Sequence, residues 1–558
     1  MPARKRKVVA GLDDKQAYRD ISIKVKLGRL LPSAELRLAI EDAAYRVQDI
    51  SARGLLLANH ALLRELAEDR MPDITNQSWW LNCMKVRGSL DIRRGPVPAI
   101  DKSVQEAYDT LKSRPGMSQV PMDSIGNIIN QVVMVLMANT WTHVARNFHN
   151  FLRKAFQREL SMFETDIRSL SKQERSAARE AAMSDVLGNP ITWPACVKAD
   201  LKQYLNDFYT PWKERHRGAL PVPNADQIKS NDCARLIRWM ADLSAHRDAC
   251  SKREDVQFFK GCMKQHRLIP LGSLRMRHIP ITATILKHDI LPLARRHSQN
   301  SDPKDCEPRF ECYFPGIEKL KPSSNSVFAD YISTDGFSVS LLFKKPENLS
   351  QDAVQKRFKK YKGFVSTEGQ DARSAVPPRL PQAGQRLIAL DPGRRDLVFG
   401  SVHNSNETVH MSTGQFCHEN GTGWRRREAK KVFSNISWGD STIDAIQQQL
   451  PSSKTSSLDA WEDYLDARLP LMQTLLDAWK KRCFRKSALW IYGKRDRCID
   501  HLCKRITGGV PGTLVAFGGA ASCSTGFGYA PAPKKRLRAR LAKAHGAHVS
   551  IIRGTFTS

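Results

Sequence analysis

One aspartate stands where a carboxylate can meet a metal ion. Leu387-Ile388-Ala389-Leu390 is a run of four apolar residues that ends at Asp391-Pro392-Gly393. The run predicts a short buried strand. Pro-Gly turns the chain, and Leu397-Val398-Phe399-Gly400-Ser401-Val402 predicts the next strand, pairing back on the first. A carboxylate at the tip of a core strand is fixed by the strand and left open to solvent and phosphate by the turn, which suits a hard divalent cation. Asp391 is therefore a candidate catalytic and metal-binding residue. Taken alone, Asp-Pro-Gly also serves an ordinary β-turn.

The cysteines offer no comparable site. Twelve are scattered along the chain, and no two have Cys-x-x-Cys spacing. Cys498, His501 and Cys503 come nearest, yet they lack the further partner that a tetrahedral zinc site needs, and no structural zinc is evident. Reduced, mostly buried thiols of an intracellular protein are the plainer reading.

Basic residues recur in five places. Arg4-Lys5-Arg6-Lys7, inside the run 3–8, reads as a nuclear import signal or as a solvated tail that touches nucleic acid. Arg146, Asn150, Arg153 and Arg158 fall near one face of a predicted helix at steps of three, four and five residues. That face could track a phosphate backbone or simply be solvated. In Lys356-Arg357-Phe358-Lys359-Lys360-Tyr361-Lys362-Gly363-Phe364, cations alternate with rings. This suits an RNA or single-strand surface, where rings stack on bases and cations meet phosphates; a solvated lysine run is the alternative. Arg394, Arg395, Lys534, Lys535 and Arg536 complete the candidate nucleic-acid contacts.

The elements that must carry these residues change along the chain. Ile21-Ser22-Ile23-Lys24-Val25-Lys26-Leu27 alternates as one strand. Residues 34–68 and 125–186 are helical by period, with Ile128, Ile129, Val132, Val133, Leu136 and Met137 as an apolar stripe. After about residue 265 the texture turns to strands, at 278–285 and 337–343, with Thr334-Asp335-Gly336 as a turn before the second. Residues 371–386 are a linker by composition. The chain so divides into a basic tail with a first strand (1–30), a helical lobe (31–265), a β-rich part (266–370), the linker, and a C-terminal α/β domain (387–558).

Composition narrows the partner. The 558 residues carry 88 Lys+Arg against 57 Asp+Glu, a net charge of +31, with 41% apolar and 26% charged residues. This is a folding chain long enough for several domains rather than a disordered one. No apolar run reaches the length of a membrane span, and the N-terminus has no signal-peptide core. Secreted and integral-membrane classes are thereby disfavoured, and a polyanion is the default partner.

The acidic motif resembles the first such motif of an RNase H/RuvC-like nuclease, and its Asp-Pro-Gly-Arg-Arg-Asp-Leu-Val form is similar to the Fanzor proteins, eukaryotic relatives of TnpB and the type V CRISPR nucleases. Other segments resemble that family in order. Residues 333–340 resemble the strand motif before the nuclease domain, 493–506 its pre-strand helix, and Leu514-Val515-Ala516-Phe517-Gly518 its central strand. Tyr529 to Leu537 resemble its helix entry, and the closing Thr557-Ser558 the end of its Thr-Ser motif. The resemblance covers about 265–558 by motif and 1–265 by architecture. It implies a multidomain α+β protein in which a helical recognition lobe is inserted in a small wedge β-barrel and followed by a RuvC-like α/β domain. It also implies an RNA-guided DNA endonuclease of mobile elements, with guide RNA and target DNA as partners and two Mg²⁺ ions held by three acidic residues.

The sequence departs from that pattern in its acids. Asp500 is the last carboxylate side chain, and residues 501–558 hold nine Lys+Arg and no acid. The central strand ends Phe517-Gly518-Gly519, and Gly554 stands at the alternative acidic position. The family's zinc ribbon and third acid would fall beyond 558. Asp396, Glu462, Asp463, Asp466, Asp496 and Asp500 are the spare acids nearest in sequence. Three readings follow: a guided DNA-binding protein with an incomplete nuclease centre, an active nuclease completed by a further C-terminal segment, or an unguided basic nuclear nucleic-acid-binding protein.

Overall fold

The computed structural model describes residues 18–85, 100–117, 120, 122–166, 169–188, 192–215, 230–259, 261–297, 310–346, 385–393, 395–518 and 534–552. The protein is a mixed, helix-rich, multidomain α+β chain that divides into two compact units. The first unit is Met1–Lys362 with Ile446–Lys481, and the second is Gly363–Ala445 with Arg482–Ser558.

The first unit is organised around an antiparallel sheet of four strands: β1 (Tyr18–Lys26), β2 (Ile279–Thr282), β3 (Val327–Thr334) and β4 (Ser338–Pro346), in the order β1-β4-β3-β2. The alternating residues expected as a first strand pair with the last strand of the sheet, from Tyr18↔Pro346 to Lys26↔Ser338. The β3–β4 turn is built as its sequence demands. Buried Asp335 accepts hydrogen bonds from Phe337 N (3.1 Å) and Ser338 N (2.7 Å), and Gly336 takes a left-handed φ of 80°.

Two expectations are corrected here. The strand expected over 278–285 stops at Thr282, whose hydroxyl caps Ile285 N (3.3 Å) and starts the helix α8 (Ala283–Ile285). The expected wedge barrel is an open sheet among the described residues, with β1 and β2 at its edges. Four strands, one of them only four residues long, fall well below the roughly eight of a small closed barrel.

Between β1 and β2 the chain is helical. α1 (Ala34–Ala67), α2 (Gln77–Lys85), α3 (Lys102–Leu111), α4 (Gly126–Asp166), α5 (Lys172–Val186), α6 (Ala199–Arg215) and α7 (Ser230–Cys250) pack around α1 and α4. (In chain order α8 is followed by α9, Leu291–His297, and α10, Phe310–Tyr313.) The stripe Ile128, Ile129, Val132, Val133, Leu136 and Met137 is buried as its period predicts.

α1 is buried on every side from Gln48 to Leu63. It is held by polar contacts as well as apolar ones. Buried Arg53 pairs with Asp49 (2.6 Å) and donates to Gly116 O (2.5 Å) and to Gln473 Oε1 (2.9 Å). Gln473 belongs to a segment that composition had joined to the C-terminal domain. Residues Ile446–Lys481, with α14 (Leu458–Arg468) and α15 (Met472–Lys480), belong to the first unit. Trp461, Leu465, Leu469 and Leu476 are buried in the same core as α1. Gly116, at φ 84°, lets the chain pass so close to Leu469 O that a Cβ there would lie 2.0 Å from it.

The second unit holds five strands: β5 (Leu387–Asp391), β6 (Asp396–Val402), β7 (Thr408–Ser412), β10 (Leu514–Gly518) and β11 (His548–Ile552). The two-residue strands β8 (Ser437–Trp438) and β9 (Ser441–Thr442) form a separate ribbon. The sheet order is β11-β10-β5-β6-β7. β5, β6 and β7 form an antiparallel meander, while β10 runs parallel to β5 and β11 parallel to β10. The helices α11 (Thr413–Glu419), α12 (Thr422–Ser434), α16 (Arg482–Thr507) and α17 (Lys534–Ala544) follow or separate these strands, and α13 (Ile443–Gln449) spans the boundary at Ala445, where the chain passes to the first unit. Ile388, Leu390, Val398, Val515 and Phe517 of the sheet share a core with Cys498, Ile499, Leu502 and Cys503 of α16 and with Leu537 and Leu541 of α17.

Two histidines of the first unit are buried without charge. His60, fully buried, meets Thr110 Oγ1 at 3.0 Å. Burial, with Arg64 and Arg114 adding repulsion, holds its imidazole down at about 3. Glu462 Oε1, at 4.0 Å, is too distant to offset that. His266 is held at about 4 by burial and the nearby Lys154. In the unfolded chain both titrate near 6.5. Below that pH the unfolded state binds protons that the fold refuses. Their stabilising contribution is complete above pH 6.5 and shrinks as pH falls toward 4 and then 3. The unfolding midpoint in urea should therefore drop between pH 7.5 and 5, and His60→Gln should flatten that slope.

Candidate carboxylate site and nucleic-acid interface

Asp391 is the last residue of β5 and is exposed. It pairs with Phe399 of β6 on one side. On the other, the parallel register Phe517↔Leu390 brings Gly518 beside it at the end of β10. A Cβ at Gly518 would lie 3.6 Å from Asp391 Oδ1, 3.2 Å from Leu390 O and 3.4 Å from Pro392 Cδ. Residues opposite one another in a sheet project on the same face, so position 518 is the slot from which a second carboxylate could share a cation with Asp391. Glycine leaves that slot without a ligand.

The spare acids are engaged elsewhere. Asp396 receives His410 Nε2 at 2.8 Å. Asp496 pairs with Arg536. Asp500 accepts from Arg540 (Nη2 to Oδ2, 2.7 Å), and those hydrogen bonds hold its carboxyl below the usual range. Glu462, Asp463 and Asp466 lie on α14 in the first unit, where Arg114 meets Glu462 at 3.6 Å and Asp466 at 2.7 Å. Among the described residues, no group of three His, Cys, Asp or Glu donors includes Asp391. The set Cys498, His501 and Cys503 does not converge either. Both thiols are buried in the core and pushed up to about 12, first by burial, and Cys498 Sγ donates to Glu419 Oε2 (3.3 Å) while His501 is exposed.

Of the basic candidates, Arg146 and Arg153 are exposed on α4 together with Asn150. Arg158 is not. Its guanidinium is buried and donates to Cys262 O (3.0 Å) and Leu243 O (3.2 Å), so it is a packing residue and leaves the phosphate-tracking face. Arg395 is exposed beside the β5–β6 turn. Arg536 is half-buried between Asp496 and the Tyr492 ring (5.7 Å). Arg394, the run Lys356, Arg357, Lys359, Lys360 and Lys362, and the run Arg4, Lys5, Arg6 and Lys7 lie outside the described residues, as do the side chains of Lys534 and Lys535.

The second unit presents a surface that spacing alone did not reveal. Trp424 of α12 and Trp490 of α16 are 43% and 39% exposed, with ring centroids 5.4 Å apart. Lys494 Nζ sits over the Trp490 ring at 4.2 Å. Gly421, at φ 80°, admits the Trp490 ring so closely that any Cβ would collide with it. Arg426, Arg427, Lys430 and Lys431 are exposed along α12, and Lys486, Arg495 and Arg497 along α16. Two large exposed rings among cations are costly in water and fit stacked bases between phosphates. The second unit as a whole holds 25 Lys+Arg against 11 Asp+Glu. The signal in the sequence was the Trp-Arg-Arg-Arg run at 424–427, with its partner 66 residues away.

No family model matches this chain, and no curated protein matches it.

Each stacked base contributes about 1–3 kcal/mol in such surfaces. Trp490→Ala should therefore weaken single-stranded RNA binding by roughly 5- to 150-fold, measured by fluorescence anisotropy, and Trp490→Phe should retain most of it. Arg426→Gln/Lys430→Gln should instead lower the slope of log K against log salt by about 1.4, that is about 0.7 for each lost phosphate contact on a single strand.

Proposed function

We propose that this chain is a Fanzor/TnpB-like, RNA-guided DNA-binding protein of mobile-element origin, working in the nucleus. Its RuvC-like centre lacks the carboxylates for two-metal cleavage. The observation that carries this reading is the sheet of the second unit. An antiparallel three-strand meander continues into two parallel strands, with the order 3-2-1-4-5 and an aspartate at the end of the first strand. That arrangement supports an RNase H-like domain. The open sheet of the first unit, whose first strand is separated from the rest by a helical region, supports the pairing of a wedge with a recognition lobe.

The Mg²⁺ pair implied by the family does not fit the residues present. Asp391 is a single carboxylate, Gly518 offers none, and the other acids near it in sequence are paired with Arg or His or belong to the first unit. One carboxylate cannot hold two hard cations about 4 Å apart against water. Binding has no such need. Guide pairing would supply sequence recognition, while cations meet the A-form backbone and the phosphates. The run Arg4–Lys7 would direct import.

The test is purification of the full chain from cells expressing it with its native flanking sequence. Co-purifying RNA, and DNA binding that tracks complementarity to that RNA without Mg²⁺-dependent cutting, are expected. Absence of bound RNA, or affinity that depends on salt alone, would replace this reading with an unguided binder. Mg²⁺-dependent cutting abolished by Asp391→Ala would replace it with a nuclease. Gly518→Asp should create a carboxylate pair and tighten Mn²⁺ binding at least about ten-fold by electron paramagnetic resonance, since affinity rises with ligand charge count. Adding Asp391→Asn should remove that gain.

A further inference from the structure

A second constellation lies in the first unit, away from any acid discussed above. Glu159 of α4 and His246 and Cys250 of α7 bring one ligand atom each to within 4.8 Å of one another. The geometry points to a site for a zinc-like divalent transition ion, held by Glu159 Oε1, His246 Nε2 and Cys250 Sγ.

The sequence explains the convergence. His246 and Cys250 are four residues apart on α7, so both side chains leave the same helix face one turn apart, the spacing used by helical metal chelates. α4 packs along α7 and supplies Glu159 from the opposite wall. Both contacts fall on a single atom. His246 Nε2 lies 2.6 Å from Glu159 Oε1 and 3.3 Å from Cys250 Sγ. A ring nitrogen carries at most one proton, and one proton makes one good hydrogen bond. A carboxylate and a thiol that converge on the same nitrogen can instead share one metal ion with it.

The distances suit the exchange. Zinc–ligand lengths of about 2.0–2.3 Å at tetrahedral angles separate N from O by about 3.4 Å and N from S by about 3.6 Å. The present separations need to open by less than about 1 Å, within the reach of side-chain rotation about a bound ion. Nitrogen and sulfur donors select zinc-like ions over Mg²⁺.

The surroundings agree. The Glu159 side chain is 3% exposed and Cys250 4%, whereas the His246 side chain is 30% exposed, which gives an ion an entry. Phe208 and Trp212 stand 5.2 and 5.4 Å from the imidazole, and Met162, Val256 and Phe258 pack around Cys250. That apolar shell strengthens ion–ligand attraction. His246 and Cys250 also lie at the C-terminal end of the 21-residue α7, where the helix dipole favours a cation. Three protein ligands leave one position for water. The ion would tie α4 to α7.

The site is independent of the nucleic-acid reading, and so is its test. The full chain, stripped with chelator, is titrated with Co²⁺ and followed by absorption, and zinc retained after purification is counted by elemental analysis. One ion per chain with a thiolate-to-cobalt charge-transfer band, unaffected by excess Mg²⁺ and lost in Cys250→Ser but kept in Cys262→Ser, is expected. No charge-transfer band in the parent chain, or a band unchanged in Cys250→Ser, overturns the proposal and leaves a plain His–Glu ion pair. Because the parent chain is itself read out, misfolding of a variant cannot rescue the idea.

Discussion

The first unit depends on one pairing: β1 against β4, nine residue pairs that join Tyr18–Lys26 to Ser338–Pro346. Without it β1 has no partner, and the chain from Ala34 to Cys250 has no fixed exit and return. Closing so long an excursion costs little more than closing a short one, because loop entropy grows only with the logarithm of length. The sheet can thus tolerate a large helical region between its first and second strands, provided that region has a core of its own. α1 and α4 supply that core, and Arg53 fastens it by filling polar positions that apolar packing would leave unmade.

The same logic operates in the second unit. Residues Ile446–Lys481 leave it and belong to the first, and the sheet resumes with β10. The departing segment takes five acids with it, Asp459, Glu462, Asp463, Asp466 and Asp477. What stays behind is more basic than the sequence from 387 to 558 suggested. The remaining acids of α16, Asp496 and Asp500, are bound to arginines of α17. They stabilise the packing of two basic helices and leave exposed lysines and arginines on α12 and α16 to define the outer potential.

Much of the secondary structure was legible. Strict alternation marked β1, the Thr-Asp-Gly turn marked the β3–β4 hairpin, and the apolar run before Asp391 marked β5. Closure was not, because alternation reports which face is buried and says nothing of whether edges meet. Arg158 leaves the exposed face of α4 for a geometric reason. At 100° per residue, Asn150 and Arg153 stay within about 40° of Arg146, while Arg158 lies about 120° away and turns into the α4–α7 core. The tryptophan pair and the Glu-His-Cys set escaped because each needs two helices distant in sequence to meet. Only the local half of each, Trp424 among arginines and His246 with Cys250 one turn on, was written in one place.

The division of labour in the second unit follows from where charge is needed. A two-ion centre needs several carboxylates within a few ångströms, and removing any one collapses the set, since each cation must outweigh its lost hydration. Phosphate binding is distributed over many cations, and each contributes a small, nearly independent share. Opposite Asp391, Gly518 offers the first kind of site no second carboxylate. The second survives the burial of Arg158 and the capture of Arg536 by Asp496, because Arg426, Arg427, Lys430 and their neighbours remain exposed. Under the proposed reading, a sheet that presents Asp391 opposite Gly518 supplies one metal-binding carboxylate and not the set that a two-ion centre needs. The exposed cations of α12 and α16 in the same unit suit a phosphate partner without any metal.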